Sequence, residues 1–312
     1  MPPSIAVVGA GAVGCYFGGM LARSGARVTL IGRAVHMEPI AREGLRIDGV
    51  RINQRIPIAA TSSLEEGLRE PDVILFCVKT VSTETAAREI APFLRPNATI
   101  LSFQNGVDNV DRIHAAAGRR AIPAAVYVAA EMTAPGVVKH TGRGDLIIGH
   151  RPGWARDIAL PPLAALFESA EIPCRVSDSI QTDLWTKMVM NCAYNAISAL
   201  TRAQYGRMTA FPAVRSLMDR AISETVAVAR AEGVPLSESA MTEAVYRLAE
   251  KMSAATSSTS QDIARRRPTE IDSLNGYVVR RGAALGIATP VSETLVTLVK
   301  LLEDSAVNRP AG

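Results

Sequence analysis

The chain has 312 residues, of which 48% are hydrophobic and 21% are charged, a composition typical of a folded globular protein. This length exceeds what one hydrophobic core usually supports, so two domains are expected. The net charge of +4 suits anionic small-molecule ligands. Because only 4% of the residues are aromatic, the chain has few stacking platforms for bases, and we expect no nucleic-acid partner.

The sequence carries no signal for a membrane or for an oxidising compartment. No apolar run reaches the roughly 18 residues that a spanning helix needs. The four cysteines are scattered without a CxxC pair, and the first strand begins by Ile5, which leaves no room for a signal peptide. We therefore expect a cytoplasmic protein without a membrane partner.

A glycine-rich motif directly follows the apolar strand at 5–8. Its six residues are Gly9, Ala10, Gly11, Ala12, Val13 and Gly14. In a dinucleotide-binding unit the first glycine permits a tight turn, the second lets amides approach a pyrophosphate, and the third lets the next helix pack closely on the sheet. The helix that begins near Ala12 would direct its unpaired N–H groups at the phosphates. A second strand at 27–31 completes the unit, so the motif predicts a bound dinucleotide.

The end of the second strand favours NADPH over NADH. Enzymes that use NAD usually carry an acid about 20 residues after the glycines, where it accepts hydrogen bonds from the ribose 2′-hydroxyl. This chain has Gly32 and Arg33 there instead. A guanidinium can pair with the 2′-phosphate of NADPH, which an acid would repel.

Strands alternate with helices from residue 1 to 177, which predicts an α/β domain with a doubly wound parallel sheet of the Rossmann type. Further strands are expected at 45–47, 55–58, 72–78, 98–103, 125–130, 137–140, 146–148 and 174–176. Helices are expected from residue 37, over 83–93 and up to about residue 170.

Residues 178–312 follow helical periodicity, so the second domain is predicted to be all-helical. The expected helices cover 180–200, 213–232, 239–252, 260–285 and 291–302. The first of them carries Lys187, Asn191 and Asn195 at i, i+4 and i+8, and these side chains project from one face. A cation and two amides on an otherwise apolar helix suggest that the helix lines a polar cleft. The competing interpretation is that these three side chains are ordinary solvent-exposed surface residues.

The predicted helix at 260–285 carries a carboxylate, Glu270, beside a buried stripe. Ser260 would cap this helix, and Ser258 would sit at the edge of the cleft. Glu270 and Asp272 could suggest a metal-assisted reaction, but residues two apart do not share a helix face, so no metal site is expected.

These motifs resemble the ketopantoate reductase family (2-dehydropantoate 2-reductase) over essentially the whole chain. The matching segments are 9–14, Lys79 after its strand, Gln104-Asn105-Gly106, Trp185-Thr186-Lys187 with Asn191 and Asn195, Ser257-Ser258 with Gln261-Asp262-Ile263, and Thr269-Glu270-Ile271-Asp272 with Asn275-Gly276. One departure is Tyr205-Gly206, where some members carry an asparagine before the glycine.

The resemblance implies a role for each matching residue. Lys187 matches the catalytic proton donor, and Glu270 matches the catalytic carboxylate that orders the cleft and the cofactor. Arg33 and Lys79 match contacts to the cofactor phosphate and ribose. Asn105 matches a residue near the nicotinamide that also meets substrate. The other substrate contacts are matched by Asn191, Asn195 and Ser258.

The expected activity is NADPH-dependent reduction of 2-dehydropantoate to pantoate, a step toward pantothenate and coenzyme A. One alternative is a reductase of another branched or hydroxylated 2-oxo acid, with Tyr194 and Tyr205 reshaping the pocket. A second is a regulatory protein that senses NADPH without turnover. Because relatives of the family occur as monomers and dimers, a homodimer is preferred but not required.

Overall fold

The computed structural model describes residues 3–50 and 52–307, which form two compact units. The first unit comprises Met1–Gln104 and Asp108–Ile180, and the second comprises Asn105–Val107 and Gln181–Gly312. The change at residue 180 lies close to the boundary expected after residue 177. The segment Asn105–Val107, which was expected in the first domain, groups instead with the second unit.

The described strands of the first unit form one ten-stranded sheet. They are β1 (Ser4–Val8), β2 (Arg27–Ile31), β3 (Leu45–Gly49), β4 (Asn53–Ile56), β5 (Ala59–Thr61), β6 (Val73–Phe76), β7 (Thr99–Ser102), β8 (Ala121–Ala134), β9 (Val137–Gly149) and β10 (Cys174–Ser177). The helices are α1 (Ala12–Arg23), α2 (Ala34–Glu43), α3 (Leu64–Gly67), α4 (Thr83–Ile90), α5 (Asn109–Ala117) and α6 (Leu160–Ser169), with short 3-10 turns at Thr80–Ser82 and Ala91–Phe93.

The strand order is β4-β3-β9-β8-β7-β6-β1-β2-β5, with β10 added beside β9. Pairing is mostly parallel, which confirms the predicted Rossmann-type α/β fold, but β8–β9 and β3–β4 are antiparallel pairs. The prediction of three short strands between 125 and 148 was wrong, because β8 and β9 form one long hairpin. Pro135 and Gly136, the latter at φ +71°, make its tight connection.

The apolar strand runs are explained by burial on both faces of the sheet. On one face, Val7 and Leu75 pack in a core with Phe17 of α1. On the other, Ala6 and Ile74 belong to a separate core with helices α4 and α5. Alternate residues of one strand therefore enter different cores, and the strand has no polar side.

The second unit is helical, as predicted. Its helices are α7 (Ile180–Thr201), α8 (Tyr205–Ala210), α9 (Pro212–Ala231), α10 (Glu238–Lys251), α11 (Ser258–Ala264), α12 (Asn275–Leu285) and α13 (Pro290–Val307). Across residues 3–50 and 52–307, no helix has the length and apolar character needed to span a membrane.

The single helix predicted over 260–285 does not form. Helix α11 ends at Ala264, Arg266 adopts φ +53°, and Pro268 precedes a 3-10 turn at Ile271–Ser273. Proline lacks an N–H donor and disfavours a helical conformation in the residue before it, so the helix stops here. Glu270 therefore lies on a connection between helices, and the cap of α11 is Ser257, not Ser260.

Candidate active site

The first glycine of the motif makes the turn that joins β1 to α1. Gly9 has φ +89°, and a Cβ atom there would lie 2.6 Å from the backbone nitrogen of Val78. The Gly9 and Ala10 amides donate to the carbonyl oxygen of Ile31 at 3.0 and 2.9 Å. Only glycine suits this position, and the turn is fastened to the end of β2.

The other two glycines differ sharply in their surroundings. A Cβ on Gly14 would lie 2.8 Å from both the Gly9 carbonyl oxygen and Val7 Cγ1, so this glycine allows close packing of α1 on the sheet. Gly11 is exposed, and a Cβ there would meet no described atom within 4 Å. The protein itself therefore does not require a glycine at residue 11, whereas a ligand approaching the backbone would.

The start of α1 offers donors for an anion. Its first helical hydrogen bond runs from the Cys15 amide to the Gly11 carbonyl at 2.8 Å. The amides of Ala12, Val13 and Gly14 precede this bond and point along the helix axis toward its N-terminus. Together with the open space at Gly11, this arrangement fits the phosphates of a dinucleotide.

Arg33 and Lys79 follow strands that neighbour β1. Parallel pairing aligns Val8, at the end of β1, with Ile31 of β2 and Phe76 of β6. The glycine loop, Arg33 after β2 and Lys79 after β6 therefore lie along one edge of the sheet. Arg33 is exposed and directly precedes α2, while Lys79 is half-buried and directly precedes the turn at Thr80–Ser82.

The second unit contains a hydrogen-bonded chain of three polar side chains. Lys187 Nζ, on α7, donates to Asn105 Oδ1 at 2.9 Å. Asn105 Nδ2 donates to Glu270 Oε2 at 2.8 Å. The amide thus connects an ammonium and a carboxylate, and all three residues are half-buried. The structure brings together residues that are 82 and 165 positions apart in the sequence.

The connection that carries Glu270 is held on both sides of this residue. The Thr269 amide donates to Glu303 Oε1 of α13 at 2.6 Å, and the Ile271 amide donates to the Thr269 hydroxyl at 3.2 Å. Thr269 and Ile271 are buried, with 4% and 1% of their surface exposed. The carboxylate of Glu270 is therefore placed by buried neighbours although it is not on a helix.

Asn195 and Ser258, which were both expected to contact substrate, also contact each other. Asn195 Nδ2 approaches Ser258 Oγ at 3.5 Å, the long limit of a hydrogen bond. Ser257 anchors this region, because its hydroxyl donates to the Asn195 carbonyl at 3.1 Å and accepts from the Ser260 amide at 3.0 Å. Ser257 is fully buried, and a serine directly before the first residue of a helix is the N-cap signal that could have revealed it.

Asn191 lies between Lys187 and Asn195 on α7 and is half-buried. Tyr205, at the departure from the family pattern, packs against Tyr194 with ring centroids 4.2 Å apart and the ring planes tilted by 30°. The Tyr194 hydroxyl donates to the Val245 carbonyl at 2.8 Å. Burial raises the pKa of Tyr205 to about 12, so its hydroxyl stays protonated at neutral pH.

This arrangement suits reduction of a carbonyl group. An ammonium beside a carbonyl oxygen stabilises the negative charge that develops during reduction and can then supply a proton. Within the described parts of the chain, no group of three or more His, Cys, Asp or Glu residues is placed to hold a metal ion.

Comparison with known proteins identifies the family. The family model described as "Ketopantoate reductase PanE/ApbA" matches residues 5–153, and its C-terminal counterpart matches residues 179–303. The chain belongs to the ketopantoate reductase family. A 2-dehydropantoate 2-reductase from Halobacterium salinarum is 34% identical over 305 residues, which cover 96% of this chain and 98% of that protein.

Solved structures agree with this assignment. The structure of a PanE/ApbA family ketopantoate reductase from Ralstonia eutropha has a TM-score of 0.90 and 43% identity, covering 97% of this chain and 99% of the other. A ternary structure of D-mandelate dehydrogenase with NADH and anilino(oxo)acetate has a TM-score of 0.91 and 25% identity, with the same coverage. The chain is thus similar to oxidoreductases over nearly its full length.

Proposed function

We propose that this protein reduces 2-dehydropantoate to pantoate with NADPH, a step toward pantothenate and coenzyme A. The observation that carries the proposal is the chain from Lys187 Nζ through the Asn105 amide to the Glu270 carboxylate, with distances of 2.9 and 2.8 Å. The resemblance to relatives named 2-dehydropantoate 2-reductase supports the choice of substrate.

The cofactor is assigned to the edge of the first unit's sheet. The residues proposed to hold it are Gly9, Ala10, Gly11, Ala12, Val13, Gly14, Arg33 and Lys79, with Asn105 and Glu270 at the nicotinamide. Arg33 would pair with the 2′-phosphate, because its guanidinium is exposed and follows β2 where NAD enzymes carry an acid. NADPH, when bound, supplies the hydride that reduces the carbonyl carbon of the substrate.

The side chains of the second unit handle the proton and the substrate. Lys187 Nζ stabilises the charge on the carbonyl oxygen and donates a proton to it, leaving a neutral amine that is reprotonated from water. Asn105 orients that amine, and Glu270 fixes the orientation of Asn105. Asn191, Asn195 and Ser258 bind the remaining polar groups of the 2-oxo acid.

A second candidate is reduction of a different 2-oxo acid by the same residues. The observation that favours it is the contact between the Tyr194 and Tyr205 rings, because Tyr205 stands where some members of the family carry an asparagine. The solved D-mandelate dehydrogenase, bound to anilino(oxo)acetate, is a relative associated with an aromatic ligand. A tyrosine narrows a pocket and offers a flat apolar wall, which would suit a larger or planar substrate.

A substrate panel tests these candidates. Purified protein would be mixed with NADPH or NADH and with 2-dehydropantoate, unbranched 2-oxo acids, branched 2-oxo acids or benzoylformate, and the loss of reduced-cofactor absorbance followed. The proposal expects the highest kcat/KM for 2-dehydropantoate with NADPH. A preference for benzoylformate would favour the second candidate. Tight NADPH binding without turnover of any acid would indicate a sensing protein instead. The homodimer stays a prediction that light scattering would test.

A further inference from the structure

Asn275 stands at the start of α12 and is completely buried, yet the roles proposed above do not use it. Its side-chain amide donates to the carbonyl oxygen of Cys192 at 3.2 Å. Cys192 lies on α7, the helix that carries Lys187, and directly follows Asn191. The side chain of Asn275 thus fastens the start of α12 to the helix that carries the proposed proton donor.

A short, compact segment separates Asn275 from Glu270. The Ser273 amide donates to the Glu270 carbonyl at 2.9 Å, and the Leu274 amide donates to the Ile271 carbonyl at 3.2 Å. Ile271 and Leu274 are each 1% exposed. Because the turn is closed by its own hydrogen bonds and buried on its apolar side, a restraint at Asn275 is transmitted to the backbone of Glu270.

Asn275 is also a costly residue for this position. Its Oδ1 atom is buried and has no hydrogen-bond partner among the described residues. An unsatisfied buried acceptor costs about 1–3 kcal/mol of stability. Leucine has nearly the same shape and no polar atom to leave unpaired, so stability alone would favour leucine at this position.

We propose that Asn275 is a positioning residue for the reaction. It ties the segment that carries Glu270 to α7, so that the Glu270 carboxylate keeps its hydrogen bond to Asn105, which in turn accepts from Lys187. This inference rests on the proposed function for its kinetic consequence. Asn275 acts through Glu270 and does not itself touch substrate or cofactor. Glu303 restrains the other end of the same connection, at the Thr269 amide.

The test uses Asn275→Leu in the full-length protein, alone and combined with Glu270→Gln. We expect the single variant to unfold in urea at the same or a higher concentration, and to lose about tenfold in kcat with little change in KM for NADPH. In the Glu270→Gln background the second substitution should lower kcat by less than about twofold, because the group it positions is already disabled.

A readout that needs no substrate accompanies the kinetics. Amide hydrogen exchange of residues 269–275 should be at least several-fold faster in Asn275→Leu than in the unsubstituted protein. Ser292→Ala is the matched control, since Ser292 is a completely buried residue of the same unit whose hydroxyl also has no described partner. It should leave both kcat and the exchange of 269–275 unchanged.

The two ideas fail in different ways. If the unsubstituted protein turns over no 2-oxo acid, the proposed function is wrong, and the exchange experiment alone decides the role of Asn275. If turnover is normal but Asn275→Leu matches the unsubstituted protein in kcat or in exchange, the positioning role is wrong. The role is also wrong if Asn275→Leu lowers kcat by the same factor in the Glu270→Gln background as in the unsubstituted protein, because Asn275 would then act independently of Glu270.

Discussion

Replacing Gly11 by alanine should weaken NADPH binding without weakening the fold. Gly11 caps α1 at φ −84° and ψ −157°, extended angles at negative φ that alanine can adopt, and an alanine Cβ there would meet no described atom within 4 Å apart from its chain neighbours. Alanine is a poorer cap than glycine by about 0.5–1 kcal/mol, but it stabilises by about 0.4–1 kcal/mol by restricting the unfolded chain. The two effects nearly cancel, so the free energy of unfolding should change by less than about 0.5 kcal/mol.

The same methyl group would occupy the open space beside the loop amides, where the proposed function places the pyrophosphate of the cofactor. Hydrogen bonds to a charged group contribute about 1.5–3 kcal/mol, so losing one should raise the Kd for NADPH roughly ten- to hundredfold. Fluorescence titration with NADPH and urea denaturation measure the two quantities on the same preparations.

Gly14→Ala is the contrasting variant. Its Cβ would lie 2.8 Å from the Gly9 carbonyl oxygen and from Val7 Cγ1, and such overpacking costs about 1–3 kcal/mol. The better helix propensity of alanine returns about 1 kcal/mol, which leaves a net destabilisation of about 0–2 kcal/mol. If Gly11→Ala destabilises as much as Gly14→Ala, or binds NADPH as tightly as the unsubstituted protein, the assignment of this loop to the cofactor is refuted.

Three further substitutions test the rest of the site and the buried thiols. Arg33→Ala should erase most of a roughly ten- to hundredfold preference for NADPH over NADH, and equal affinities in the unsubstituted protein would contradict the assignment. Lys187→Ala should lower kcat by about 10²–10⁴-fold, whereas the exposed Lys251→Ala should leave it unchanged; near-normal turnover of the first variant would remove Lys187 from the mechanism. Burial raises the pKa of the Cys15 and Cys192 thiols from 9.0 to about 12, so both should resist thiol reagents at neutral pH. Because the unfolded thiols ionise first, the free energy of unfolding should fall as pH rises from about 9 toward 12, and less so in Cys15→Ala.

The elements with strong local signals were predictable from the sequence. The strand at 5–8, the glycine turn and helix α1 could be identified because the apolar run, the glycine spacing and the helical period follow one another directly, and Gly9 and Gly14 each meet a steric demand of the fold. Helix α7 was predictable because its apolar residues keep a helical period along the whole segment that carries Lys187, Asn191 and Asn195, and no proline or glycine interrupts it. Both the Rossmann-type sheet and the helical second unit follow from such local patterns.

The sequence did not predict features of the structure that depend on a single helix-breaking residue or on a contact between distant segments. The apolar spacing of Ile271, Leu274 and Val278 suggested a continuous helix, but Pro268 overrode that periodicity and left Glu270 on a connection. The packing of Tyr205 against Tyr194 depends on where α7 and α8 meet, which no local pattern records. The hydrogen-bonded chain from Lys187 through Asn105 to Glu270 joins three distant segments. The residue types alone could identify these three residues as site candidates, but not which of them is hydrogen-bonded to which.

The placement of Asn105–Val107 with the helical unit bears on how this enzyme family could have been assembled. The amide that joins Lys187 to Glu270 lies within the sequence of the first unit, well before residue 181, where the helical unit resumes. Grafting the stretch from residue 181 onwards to an unrelated Rossmann unit would transfer the ammonium and the carboxylate but leave their connecting amide behind. A productive exchange with an unrelated unit would therefore have to carry residues 105–107 across with the helices.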